Sequence, residues 1–192
     1  VTGNSFAVND SFKLWTAGQV EEHQARFAIL QHGGNYGVGE WNSSEDYEVK
    51  IADAYLTFGW DDATRDKVHA FVASRYHSDE ASDRPCGDPK GEILWILMTL
   101  PRYSYTMYSL PVGPQFKVYL EEQGRFLASL NGAARSMVRC RPHPLQYGWD
   151  DVDQIRELGG EVEIAEPGKT SLELMKKSRL VVNTYNGTAF LE

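Results

Sequence analysis

The chain is poor in cysteine: only Cys86 and Cys140 occur in 192 residues. Two thiols make no disulfide framework. With no secretory pattern at the start of the sequence, they read as free thiols of a reducing compartment, and the expected location is cytoplasmic. Long apolar runs are missing too, and nothing approaches the ~18 residues of a membrane span. Internal repeats and low-complexity tracts are absent. Cationic residues are the minority, 19 Lys and Arg against 27 Asp and Glu for a net charge of −8. That balance argues against a nucleic-acid partner, but a phosphate ligand needs only a few local cations and amides. Metal-site spacing is lacking as well. No HExxH or CxxC occurs, and His69 and His77 only flank a predicted helix end, so no metal is expected. "PGKTS", Pro167 to Ser171, is not a P-loop, because its upstream glycine position is filled by Glu163. What remains is 42% hydrophobic and 12% aromatic, the composition of a globular protein.

The length allows one large domain or two small ones. In residues 1–77 the reading is a helix over "NDSFKLWTAGQVEEH", capped from Asn9, Asp10 or Ser11 with Phe12, Trp15 and Val20 on a rough apolar face. A buried strand "RFAILQ" follows, then a helix capped by Asn42 or Ser43, with Glu45 and Asp46 in its first turn and Tyr47, Ile51 and Tyr55 at helical spacing. A strand Ala54 to Trp60 and a helix over "DDATRDKVHAFVASRYH" complete this part. Residues 78–91, rich in acids, proline and glycine, read as a linker. Over 92–192 four apolar runs, "EILWILMTL", "SMVRCR", "EVEIAE" and "RLVVNTY", alternate with the helical segments "PQFKVYLEEQGRFLASL", "WDDVDQIREL" and "TSLELMKKS". This pattern predicts βαβ units and a parallel sheet. The chain begins at Val1 rather than Met and stops at "GTAFLE", where Thr188 to Glu192 reads as a helix opening. The expectation is therefore a fragment, with the 92–192 domain truncated.

Ligands of such sheets bind beyond the carboxyl ends of the strands, so the residues after each strand matter most. "ILQHGGNYGVGEWNSSEDYEV" leaves a buried strand and places His32, Gly33, Gly34 and Tyr36 at its exit. Its glycines suit close approach of a ligand to the backbone. Gly37 and Gly39 match two positions of a dinucleotide fingerprint, but Asn42 stands at the third, and a nicotinamide or flavin site is not expected. His32 is a candidate acid/base or oxyanion partner; a structural hydrogen-bonding role fits it equally. Of the acids Glu40, Glu45, Asp46, Glu48 and Asp53, most read as solvated or dipole-matched and one or two as acting on substrate, with Glu45 the choice for base. "RCRPHP" offers Arg139, Arg141 and His143 with stiffening Pro142 and Pro144, a set able to pair with phosphate or a nucleotide carbonyl; an ordinary surface turn fits these residue types as well. After the last strand, Asn186 and Gly187 signal a turn. Thr188 would cap a helix with free amides, and Glu192 one turn later could meet a ribose diol; a plain capped helix is the alternative. Arg102 and Tyr103 follow the first strand of the second half and join the expected substrate cleft. Asn42-Ser43-Ser44 and Asn186-Gly187-Thr188 fit the glycosylation sequon, with no secretion signal to support its use.

Taken together, "QHGGNYG", "WNSSEDYEVKIADAYLTFGW", "RPHP" and "VVNTYNGTAFLE" resemble, over most of the chain, a bacterial transferase family of surface-carbohydrate biosynthesis. More distantly, the second half resembles the donor half of GT-B glycosyltransferases, in which an HP dipeptide like His143-Pro144 recurs in enzymes using CMP-sialic acid, CMP-Kdo or CDP-glycerol. The resemblance implies an α/β protein with two Rossmann-like halves in a GT-B arrangement. The amino-terminal half would supply acceptor contacts and catalytic groups, and the carboxy-terminal half would bind the donor. It further implies transfer of a sugar from a nucleotide-sugar donor, such as a CMP-sugar, to a carbohydrate acceptor, without a cofactor and with peripheral inner-membrane association. Polyol-phosphate transfer of the CDP-glycerol type, a non-catalytic nucleotide-binding module and a sugar-nucleotide epimerase remain the alternatives.

Overall fold

The computed structural model describes residues 9–72, 87–103, 113–145, 147–185 and 187. The chain divides into two compact units, Val1–Arg84 and Pro85–Glu192. Each contains a parallel sheet with helices between strands, so the protein is α/β.

In the first unit, α1 (Asp10–His23) begins where the Asn9 side chain accepts from the Phe12 amide, and it ends at Gln24 in the left-handed region. Strand β1 (Ala28–Leu30), helix α2 (Ser43–Ile51) and strand β2 (Ala54–Phe58) form a βαβ unit, and β3 (Val68–Phe71) pairs with β2. The sheet order is β1-β2-β3, all parallel, with Ile29 opposite Tyr55 and Tyr55 opposite Val68. Phe27, Ile29, Tyr36, Ala52, Tyr55 and Val68 make its core, with Val20, Val49 and Trp60 packed against them. The apolar face expected on α1 is only partly used: Val20 reaches this core, whereas Trp15 is 60% exposed and stacks on Phe12.

One element differs in kind from the sequence expectation. The predicted helix over 61–77 is absent as far as residue 72, beyond which its residues lie outside those described. Asp62 explains the difference. Its carboxylate accepts from the Thr64 amide and hydroxyl and pairs with Arg65 at 2.6 Å, closing a turn where the helix would start. An Asx turn of this kind offers the backbone an alternative to helix. The chain then pairs Val68–Phe71 with Tyr55–Phe58 and buries Val68.

The second unit runs β4 (Glu92–Ile96), α3 (Pro114–Ser129), α4 (Gly132–Met137), β5 (Val138–Arg141), α5 (Asp151–Gly159), β6 (Glu163–Ile164), α6 (Ser171–Lys176) and β7 (Ser178–Asn183). Its order is β6-β5-β4-β7, all parallel. The strand expected over "SMVRCR" is shorter than predicted, because Asn131 caps α4 by accepting from the Ala134 amide and the helix runs through Met137. Trp95, Leu97, Phe116, Leu120, Leu127, Val138, Cys140 and Ile155 fill the core on one side of the sheet, and Leu94, Ile96, Ala165 and Leu174 on the other. Sequential order reverses between β4 and β7, which creates a topological switch point at their carboxyl ends. A hydrogen-bond chain closes it. The Met98 amide donates to the Tyr119 hydroxyl, which lies 2.6 Å from the Thr184 hydroxyl, and Thr184 donates to the Ile96 carbonyl.

Candidate functional site

In the first unit the β1 exit is held by Gln31. Its side-chain carbonyl accepts from the Phe58 amide and the Trp60 indole, both at 2.9 Å, and its amide donates to Gly33 O at 2.7 Å. This ties the Gly-rich connection to the carboxyl end of β2. The connection ends at Asn42, whose side chain accepts from the Ser44 and Glu45 amides and starts α2. The helix is then inverted relative to an ordinary surface helix. Glu45 and Glu48 are each 5% exposed, whereas Tyr47 is 52% exposed and Ile51 37%. Amphipathic helices normally turn their apolar stripe inward.

The two buried carboxylates differ in their surroundings. Glu45 has both oxygens engaged: the Gly37 amide donates to Oε2 at 2.7 Å, and Arg65 pairs with Oε1 at 2.8 Å. Arg65 is also held by Asp62 and lies over the Trp60 ring. On Glu48, Oε1 accepts from the Tyr36 hydroxyl at 3.0 Å and sits 3.7 Å from His32 Nδ1. Its Oε2 is buried with no hydrogen-bond partner among the described residues. Burial pushes the Glu48 carboxyl up to about 7. The Tyr36 and Tyr55 hydroxyls oppose that rise, and the Glu45 charge adds to it. The Tyr55 hydroxyl acts on Glu48 by proximity, since it makes no hydrogen bond of good geometry itself. Burial, with Glu48 next to it, moves the Tyr55 phenol upward, and it stays protonated. Burial lowers the His32 imidazole, which is therefore neutral near pH 7. The Tyr36 hydroxyl lies 3.3 Å from the His32 ring nitrogens and so spans His32 and Glu48.

The structure thus brings together His32, Gly33, Tyr36 and Glu45 around one connection, with Gly34 buried within it. Sequence reasoning missed Glu48 as a distinct group, and missed Tyr55 and Arg65 altogether. A signal was available in the spacing of Glu45, Glu48 and Ala52, which puts both acids on the face that carries a small core residue.

In the second unit a cleft of about 280 Å³ lies at the carboxyl ends of β5 and β6, lined by Arg141, His143, Pro144, Glu166 and Lys169 among others. His143 Nδ1 lies 3.2 Å from the Leu145 amide and 3.4 Å from the Leu145 carbonyl; the tautomer in which it accepts from the amide leaves Nε2 as a donor. Lys169 pairs with Glu173 at 3.5 Å and adds a cation to this cleft, while Lys177 pairs with Glu166. Arg139 belongs to different surroundings from Arg141: it bridges Glu92 and Glu163 across three strands. Arg102 donates to Gly148 O and lies over the Trp149 ring, and Tyr103 is exposed. Close by in sequence, burial raises the carboxyl of Asp151, opposed by the Thr99 hydroxyl. Gly187 is half-buried. Asn186, Thr188 and Glu192 lie outside the described residues.

Among the described residues, no group of three or more His, Cys, Asp or Glu could hold a metal ion. Within the same residues no helix is long and apolar enough to cross a membrane. A family model described as LIC12162 family transferase matches residues 1–192. No curated protein and no solved structure matches the chain.

Proposed function

The chain belongs to the LIC12162 family of transferases, and from that premise we propose that it moves a sugar from a nucleotide-activated donor, of the CMP-sugar type, to a hydroxyl of a carbohydrate acceptor. One observation carries the donor half of this reading. Arg141, His143 and Lys169 line one cleft at the carboxyl ends of parallel strands, the end of an open α/β sheet at which ligands bind, on the β5–β6 side and not at the β4–β7 switch point. Arg141 offers a planar fork to a phosphate, and His143 Nε2–H offers a second donor. Both stabilise charge on the departing nucleotide phosphate as the glycosidic C–O bond breaks and its electron pair leaves on oxygen. Asn186, Gly187, Thr188 and Glu192 belong to the same proposal as further donor contacts. Arg102 and Tyr103 complete the substrate-facing surface after β4.

The first unit supplies the acceptor side in a GT-B-type division of labour. The acceptor hydroxyl loses its proton at the β1 exit, and its oxygen forms the new bond to the anomeric carbon. His32 takes that proton in this reading. Glu45, the carboxylate expected to do so, has both oxygens engaged by Gly37 and Arg65 and is assigned to hold the connection in shape. The same reading places the protein in a reducing cytoplasm, where Cys140 stays a buried free thiol with its pKa pushed by burial up to about 12.

Calorimetry with CMP, CDP, UDP and GDP, each with and without magnesium, tests the donor assignment. The expected result is selective cytidine-nucleotide binding that needs no magnesium and weakens at least tenfold in His143→Ala, about 1.4 kcal/mol. Selective binding of UDP or GDP would replace the CMP-sugar assignment. Nucleotide affinity unchanged in His143→Ala would remove His143 from the site.

A further inference from the structure

We propose that His32 and Glu48 act as one proton-holding pair, with His32 facing the acceptor hydroxyl and Glu48 the positioning carboxyl behind it. The substrate in this statement rests on the transferase reading; the pair itself rests on geometry alone. His32 is the more accessible member, its side chain 29% exposed against 7% for Glu48, and the two are 3.7 Å apart through His32 Nδ1. Tyr36 touches both. Nδ1 is the nitrogen that faces Glu48, and Nε2, which shares the Tyr36 hydroxyl at 3.3 Å, is the nitrogen assigned to substrate.

The energetics of α2 point the same way. A helix serving only to cover the sheet would bury Tyr47 and Ile51 and leave its acids in water. Here Glu48 is buried with one carboxylate oxygen unpaired among the described residues, an arrangement that costs stability. Such unpaired buried groups call for an explanation, and a working proton site is one.

The neighbours of Glu48 leave its ionisation adjustable. His32 and Tyr36 face it from the β1–α2 connection, Glu45 from its own helix and Tyr55 from β2, while Arg65, in the turn before β3, acts on Tyr55. The Arg65 charge is matched by Glu45 at 2.8 Å and Asp62 at 2.6 Å, so it does not hold Glu48 permanently ionised. In the reaction the acceptor O–H gives its proton to His32 Nε2, and the acceptor oxygen bonds to the anomeric carbon. The bond to the nucleotide phosphate breaks with its electrons on the phosphate. The imidazolium formed in this step turns its Nδ1–H to the Glu48 carboxylate. The present 3.7 Å is longer than a hydrogen bond, as is common before substrate closes a site.

The test follows the His32 ring protons by NMR against pH in the whole chain, without any ligand. A coupled pair titrates in macroscopic steps that both members share. The expected wild-type curve has two inflections, one below pH 6.5 and one near pH 7, and Glu48→Gln loses the upper one. A single inflection that is the same in wild type and Glu48→Gln overturns the proposal. If Glu48→Gln does not fold, Tyr36→Phe carries the test. It keeps the carboxyl but removes the bond that lowers its pKa, so the upper inflection must move upward; a curve that stays in place overturns the pair. Neither result depends on nucleotide binding, so the pair and the donor assignment fail separately.

Discussion

At the scale of single residues, Glu48 is where the proposed proton chemistry and stability oppose each other. Its carboxyl has a folded-state pKa raised from 4.5 to about 7. The folded protein therefore holds a proton there that the unfolded chain releases at lower pH. Stability from this group is fully present below about pH 4.5 and is lost as pH rises through 7. The shift sets a ceiling of about 3 kcal/mol on the loss. Glu48→Gln keeps the shape and the bond from Tyr36 but cannot ionise. Urea unfolding at pH 8 is expected to find the variant more stable than wild type, and at pH 5 the gap should nearly close. Titrating groups not coupled to Glu48 cancel in that comparison. A gap of equal size at both pH values would mean that Glu48 is not a penalised carboxyl. Glu45 gives no such gain: removing its charge would leave Arg65 short of one partner and the Gly37 amide short of its acceptor.

At the scale of elements, what the sequence displays depends on which interaction decides the element. Helix α2 was legible in position, because Asn42 caps it and acids follow in its first turn. Its orientation was not, because Tyr47, Ile51 and Tyr55 look like the buried stripe, and burial of Glu45 and Glu48 depends on Arg65, Tyr36 and Gly37, residues brought in by the fold. Strand β3 was illegible because "DDATRDKVHAF" has helical composition, and a local Asx turn plus pairing with β2 overrode it. The packing of α3 on α5 is a third case. Gly124 reads as a weak point in a helix, where alanine ordinarily gains up to about 1 kcal/mol. In the fold a Cβ at Gly124 would meet Leu158 Cβ at 2.5 Å, and one at Gly159 would meet the Gly124 carbonyl at 2.5 Å. Gly124→Ala should therefore lose about 1–3 kcal/mol by overpacking. Gly132→Ala, with nothing within 4 Å, should be neutral or gain a few tenths of a kcal/mol. Thermal unfolding of the two variants decides it, and a stabilised Gly124→Ala would mean that the two helices are not in close contact.

At the scale of the whole molecule, the second unit was the more legible, because its apolar runs alternate with helical segments, an order that parallel strands with right-handed crossovers accommodate; the added helix α4 was not part of that pattern. The position of the HP dipeptide, His143-Pro144, was legible for the same reason: it follows the strand that ends at Arg141. Lys169 was not, since only the fold of the β6–α6 connection carries it to the cleft. The two proposed sites are built from residues of different units, each with its own core, and the proposal has a measurable consequence. His143→Ala should weaken CMP binding about tenfold. Glu48→Gln should leave the CMP dissociation constant unchanged, while transfer at saturating donor falls by about 10²–10⁴, the range of a lost acid–base contribution. Because effects of independent sites add, the double variant should bind CMP no more weakly than His143→Ala alone. A dissociation constant that Glu48→Gln shifts by itself, or a double variant that departs from this sum, would place Glu48 in the nucleotide site and end the division of labour between the units.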